Sequence, residues 1–147
     1  MSNIFSFGNK VEAKKHILSK LSKENLSQDF LLNDRGRQTA IYFNEEQARI
    51  ANAFTSFGFF ESEDKARETL VMTLRNNIDV ISEWLLTDSP EIKISSTFNE
   101  PIGFVFDENE KPIATNTVLS FLRKGKSDLQ TFGFYVSVYS PEHPDKI

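Results

Sequence analysis

The sequence predicts an α+β domain, with helices in the first part of the chain and an antiparallel sheet of about four strands in the rest. Three observations carry that expectation. The stretch 63–86 repeats apolar residues every three or four positions, the spacing of a core-facing helix. After Pro90 the apolar segments alternate with polar residues instead. The last of them, TFGFYVSVY at 131–139, sets Phe132, Phe134, Val136 and Val138 on one face and Thr131, Gly133, Tyr135, Ser137 and Tyr139 on the other. A period of two is that of a half-buried strand. Helices segregated from strands along the chain give α+β rather than alternating α/β architecture.

A chain of 147 residues is expected to form one domain (1–147), helical over about 9–86 and sheet over about 91–140, with enough core to stand without staples. Phenylalanine is over-used, at 14 residues against one Trp and three Tyr, which favours an aromatic core with no polar atoms to satisfy. The absence of cysteine excludes disulfides, thiolate metal sites and cysteine nucleophiles. MSNIFSFGNK lacks the basic flank and apolar run of a signal peptide, and no apolar run approaches the ~20 residues that cross a bilayer. A cytoplasmic site of action without a membrane partner is therefore expected. The net charge of −4 disfavours strong nonspecific binding to nucleic acid. It is unevenly spread: residues 1–40 hold seven Lys or Arg against four Asp or Glu, a balance of +3, so the remainder carries −7.

Taken in order, residues 10–21 form a helix capped by Asn9, with Val11, Ile17, Leu18 and Leu21 as its apolar side. A second short helix is expected at 24–32, followed by a turn at 33–37, where Asn, Asp and Gly tolerate the backbone angles required. Asn44 with Gln47 resembles a capping box, with Phe43 and Ala48 as its hydrophobic staple; Ile50, Ala51 and Phe54 continue one face. The run 54–60, FTSFGFF, reads as a buried extended segment broken by Gly58. Ser62 caps the long helix 63–86, whose stripe is Ala66, Leu70, Leu74, Ile78, Ile81 and Leu85, widened by Val71 and Trp84. Thr87-Asp88-Ser89-Pro90 stops it. Strands follow at 92–98, 102–106, 117–123 and 131–139, with 107–112 as a polar connection and 124–128 as a basic turn.

Several chemistries are dismissed at this point. There is no Gly-rich phosphate loop, and His16 and His143 share no metal-ligand spacing with each other or with a carboxylate. Asp107-Glu108-Asn109 faintly resembles a calcium loop, but Lys111 and Val118 occupy positions such a loop uses otherwise. What remains is a metal-free acid–base site. His16 lies on a predicted helix beside Lys14 and Lys15, and reads either as a general base or as an ordinary surface histidine. His143, in the PEHP tail, reads as a mobile surface residue. Tyr135, Ser137 and Tyr139 share one strand face and offer hydroxyls to a phosphate, although such residues also suit a solvated sheet face. Arg123, Lys124 and Lys126 stand at the adjoining turn, where a phosphate could meet them; a solvated hairpin tip explains them equally well.

From about Phe54 onward the chain resembles the RNase A-like toxin domains at the C-termini of bacterial contact-dependent inhibition and other polymorphic toxins. Residues 56–85, SFGFFESEDKARETLVMTLRNNIDVISEWL, are similar to the family's Ser-x-Phe segment and long helix, with its Asn-x-x-x-Ile-x-x-Trp-Leu ending at Asn77, Ile81, Trp84 and Leu85. Pro101-Ile102-Gly103 resembles its Pro-Val-Gly strand start. VLSFLRK at 118–124 and YVSVYSP at 135–141 resemble its last two strands. The resemblance implies an RNase A-like fold and metal-independent, cofactor-free cleavage of RNA. It implies a site in which His16 matches the family's helical histidine, Ser137 its threonine and Tyr139 its tyrosine. The family's arginine has no counterpart at its usual distance after His16, where Leu26 and Ser27 stand; Arg35, Arg37 and Arg49 are the candidates to replace it through an insertion. Substrate contacts are expected from Arg35, Arg37, Tyr135, Arg123 and Lys124, and a cognate immunity protein is the implied partner. Two other readings stay open on the residues alone: a non-enzymatic, acidic immunity or antitoxin protein, and an RNase A-like scaffold with a degenerate site.

Overall fold

A computed structural model of the chain describes residues 8–21, 42–50, 58–124 and 133–143. The expected helix 24–32, the turn 33–37 and most of the run 54–60 lie outside these residues. The described elements run α1 (Lys10–Lys20), α2 (Glu45–Ile50), β1 (Phe59–Phe60), α3 (Glu63–Asn76), α4 (Ile78–Trp84), β2 (Glu91–Thr97), β3 (Gly103–Phe106), β4 (Pro112–Thr115), β5 (Thr117–Arg123) and β6 (Tyr135–Pro141). The α+β class holds. The single four-stranded sheet does not, because the strands form two three-stranded antiparallel sheets, ordered β1-β3-β4 and β2-β5-β6.

Local chemistry explains where the helices begin. Asn9 accepts the Glu12 amide at 3.0 Å and Ser62 accepts the Lys65 amide at 3.1 Å, each satisfying a donor that the first turn leaves without a partner. Asn44 accepts the Gln47 amide at 2.9 Å, and Gln47 reaches back to the Phe43 amide at 2.8 Å. The staple is absent: Phe43 packs on the main core and Ala48 belongs to a separate, smaller one. On α1 the buried residues are Ala13 and Ile17, followed by Leu21, whereas Val11 and Leu18 face solvent.

The long helix expected at 63–86 is two helices. They break at Asn77, whose side chain donates to Thr73 O at 2.9 Å and to Ser95 O at 2.8 Å. Asparagine competes with helical hydrogen bonding through its own amide, and here that amide also ties the break to β2. The core stripe survives: Ala66, Leu70, Leu74, Ile78, Ile81, Trp84 and Leu85 are all buried. The short α4 packs against α1, and Lys10–Glu83 and Lys14–Asp79, both at 3.1 Å, bridge the pair at the surface. The Lys14 ammonium holds the Asp79 carboxyl below its ordinary value through a hydrogen bond and its charge.

Strand partners depart most from expectation. β2 pairs along its whole length with β5, from Glu91↔Arg123 to Thr97↔Thr117, while the β3–β4 hairpin between them joins β1 in the other sheet. Asn116 secures this crossing: its backbone carbonyl accepts the Phe98 amide at 2.8 Å and its side chain donates to Phe98 O at 2.9 Å. β4 begins where the expected polar connection 107–112 ends, on residues to which the sequence assigned no element. It is an exposed edge strand, and Pro112 at its start suits an edge because it has no N–H to offer. The sheets meet where Gly103 lies close to both β1 and β6; a Cβ there would sit 2.6 Å from Phe59 O and 2.8 Å from Pro141 Cγ. The main core holds α1, α3, α4 and sheet β2-β5-β6, and the smaller one gathers Ala48, Phe59 and Phe106 with Tyr42 and Phe104.

Candidate functional site

The hydroxyl face expected on the last strand is not one face. Val136 stands opposite Leu122 and Val138 opposite Phe121, so Ser137 is an extra residue in the ladder, a β-bulge. Before the bulge Phe134 and Val136 are fully buried, as the alternation expects. Beyond it the faces exchange. Val138 becomes half-buried, and Tyr139, opposite Ser120, turns into the main core at 1% exposure. Tyr135, opposite Arg123, is buried as well. Period-two reading therefore misplaced Val138 and Tyr139, because one inserted residue reverses every later position.

The consequence for Tyr139 is chemical. Its ring stacks on Phe60 with centroids 4.9 Å apart. Its hydroxyl lies 2.6 Å from Thr69 Oγ1, where either oxygen can be the donor, and 3.1 Å from Ala66 O, which accepts the phenol proton when Thr69 is the donor of the first bond. Burial pushes its pKa up, with the hydrogen bonds from Thr69 and Thr73 opposing only part of that shift. The phenol is thus a neutral anchor between β6 and α3, with its hydroxyl out of reach of a surface ligand. Ser137 remains half-buried, and its hydroxyl donates to Phe121 O at 3.2 Å.

The other predicted residues are spread around the molecule. His16 sits half-buried on α1 between the buried Ala13 and Ile17, with its carbonyl accepting from Ser19 Oγ at 2.8 Å. Arg35 and Arg37 lie outside the described residues. Arg49 donates to Glu45 at 2.6 Å and to Glu110 O at 2.9 Å, with its guanidinium 5.2 Å from the Phe106 ring centroid. Arg123 faces Glu91 at 3.7 Å. The Lys124 ammonium folds back over Trp84, 5.2 Å from the ring centroid, and donates to Thr87 O. Its partial desolvation lowers its pKa, with the Asp88 charge acting in the opposite direction. Arg123 and Lys124 thus tie their strand to β2 and to the end of α4. Beneath Lys124, Trp84 Nε1 is buried without a hydrogen-bond partner among the described residues.

Among the described residues no group of three His, Asp or Glu side chains is placed to hold a metal. Asp107 spends its carboxylate on the amides of Asn109 and Lys111, at 2.8 and 2.9 Å, closing the β3–β4 turn. His143, expected in a mobile tail, is half-buried with Nε2 3.4 Å from Phe106 O. No helix among the described residues is long and apolar enough to cross a membrane.

Two clefts flank the connection between β2 and β3, and Asn99 borders both. The smaller, about 240 Å³, lies on sheet β1-β3-β4 beside His143. The larger, about 440 Å³, separates α3 from the connection; Glu68, Met72 and Asn76 line one wall and Phe98, Asn99 and Glu100 the other. The segment between the expected strands 92–98 and 102–106 and the expected helix 63–86 carry no sequence mark of facing one another; the pairing of β2 with β5 sets them side by side.

No protein-family model matches the chain, and no curated protein matches its sequence. Among solved structures, the fold is similar to that of a chain in the CdiA-CT/CdiI complex from Y. kristensenii 33638. The TM-score is 0.58 at 15% identity, covering 69% of this chain and 95% of that chain. At that identity the likeness is one of fold.

Proposed function

We propose that this chain is the toxin member of a toxin–immunity pair and cleaves RNA without a metal. The supporting observation is the fold shared with nearly the whole of a chain from a CdiA-CT/CdiI complex, in a sequence whose strand and helix motifs resemble RNase A-like toxin domains. The arrangement of the core is compatible with it: Ala13 and Ile17 of α1 share one core with Phe134, Val136 and Tyr139, so the helix bearing His16 and the strand bearing Ser137 belong to one packed unit. In this reading the His16 imidazole takes the proton of a ribose 2′-OH and the oxygen attacks the adjacent phosphorus. The bond to the 5′-oxygen breaks, and that oxygen leaves with a proton from solvent or from a protonated group. Arg35 or Arg37 balances the charge on the phosphate, and Ser137 contributes a hydrogen bond. Tyr139 acts as a positioning residue that fixes β6 against α3.

Purified protein incubated with total RNA in EDTA is expected to produce fragments ending in cyclic phosphate. His16→Ala should lower the rate by roughly 10²–10⁴, the range of a general base, with an unchanged circular dichroism spectrum. Equal cleavage by His16→Ala and the parent chain would sink the assignment.

A second reading is favoured by the engagement of Arg123, Lys124 and the Tyr139 hydroxyl within the fold, together with the balance of −7 after residue 40. In it the chain is the acidic immunity partner. Absence of cleavage, combined with protection of cells against a basic nuclease that co-purifies with the chain, selects this alternative.

A further inference from the structure

The larger cleft has a composition that neither reading uses. Its volume of about 440 Å³ falls within the range of ligand pockets, ~300–1,000 Å³. Its charged residues are one cation, Lys65, and two carboxylates, Glu68 and Glu100, so it repels a phosphate on balance. Its apolar surface comes from Phe98, which rests half-buried on the main core, and from Met72, which is 44% exposed. Asn76 donates its amide nitrogen to Ser96 Oγ at 2.8 Å, which fixes the side chain and leaves its carbonyl oxygen to accept. Thr69, at the floor, has its hydroxyl taken by Tyr139 and the α3 carbonyls. The site therefore offers a held aromatic surface, a flexible thioether and an excess of acceptors.

The geometry points to a docking pocket for an arginine side chain presented by a protein partner. A guanidinium is planar and cationic, stacks on aromatic faces, and carries five donors with no acceptor. That matches Phe98 as the stacking surface, with Glu68, Glu100 and the Asn76 carbonyl as acceptors. Such pockets supply a disproportionate share of interface energy, and arginine is among the residues that fill them. Charge complementarity extends beyond the cleft, since the chain after residue 40 carries a balance of −7 and so favours a basic partner. The inference holds for either member of a toxin–immunity pair and does not rest on the ribonuclease reading.

Lys65 makes the test sensitive to sign. The probe is argininamide, titrated at low ionic strength into ¹⁵N-labelled protein, with uridine monophosphate as the comparison. Argininamide is expected to shift amides around Glu68, Asn76, Asn99 and Glu100. Glu68→Gln and Glu100→Gln should each weaken it roughly two- to fivefold, the scale of one solvent-screened ion pair, and Lys65→Gln should tighten it by a similar factor. The three residues lie at the surface, and unchanged spectra elsewhere in the molecule confirm that each variant is folded. A response to uridine monophosphate alone, weakened by Lys65→Gln, identifies a nucleotide site and overturns the proposal. So does the absence of any cleft response to argininamide.

Discussion

The two cores are held by different means. The main core is closed by large apolar side chains from three helices and one sheet, and the Tyr139 hydroxyl buried among them is tied to α3. Among the described residues the smaller core contains few buried side chains. It relies on Phe59 stacked on Phe104 at 5.1 Å and tilted against Phe106 at 5.5 Å, and on backbone approaching so closely that glycine is required. The contrast teaches that side-chain volume stabilises the part bearing His16, Ser137 and Tyr139. Backbone contact positions the sheet that borders the smaller cleft.

The comparison can be broken by substituting each core in turn. Leu122→Ala empties a fully buried position where β5 meets the helices, and should cost ~2–5 kcal/mol, read as a fall in the urea midpoint of the whole molecule. Gly58→Ala tests the other region. An added Cβ would lie 2.0 Å from Phe104 O, so pairing of β1 with β3 must yield, at roughly 3 kcal/mol. Hydrogen exchange should then rise in β3 and β4 while β5 stays protected. Equal deprotection of β5 would show that the two regions unfold as one.

A smaller effect isolates the buried phenol. Tyr139→Phe keeps the ring against Phe60 but leaves Thr69 with one partner fewer, a loss of ~1–2 kcal/mol. RNA cleavage, if present, should fall far less than in His16→Ala. The phenol's pKa is raised on folding, so its contribution is fully present below the ordinary tyrosine value of about 10 and declines as pH rises above it, where the unfolded chain ionises first. Thermal midpoints measured from about pH 8 to about pH 11 should fall more steeply for the parent than for Tyr139→Phe. The smallest effect is a gain. Glu110 holds φ 62° in the β3–β4 turn, a region that favours glycine, so Glu110→Gly should stabilise by several tenths of a kcal/mol, about 1 at most, visible as a slightly higher melting temperature.

Much of the secondary structure was legible because its signals are local. The caps at Asn9, Asn44 and Ser62 are side chain–backbone bonds spanning three residues, and the stripe from Ala66 to Leu85 needs only helical periodicity. The break at Asn77 was not legible, since asparagine occurs within many helices and its amide here finds Ser95, a residue far along the chain. Strand existence was legible for β2, β3 and β6 from alternating apolar residues, and for β5 from the apolar run 118–122, which does not alternate. β4 lacks that pattern and exists because β3 offers it an edge.

By itself, the sequence determined the α+β class, the positions of the caps and the buried faces of α3, α4 and β2. These depend on the spacing of side chains along one segment and on hydrogen bonds that close within a turn. Only the tertiary structure decided which strands pair, where the ladder gains an extra residue at Ser137, and that Tyr139 points into the core. Antiparallel pairing joins residues distant in sequence, and strands of similar alternation carry no local mark of their partners. A single bulge then changes which face meets water, so the fate of the hydroxyl row on the last strand was settled by β5 opposite it.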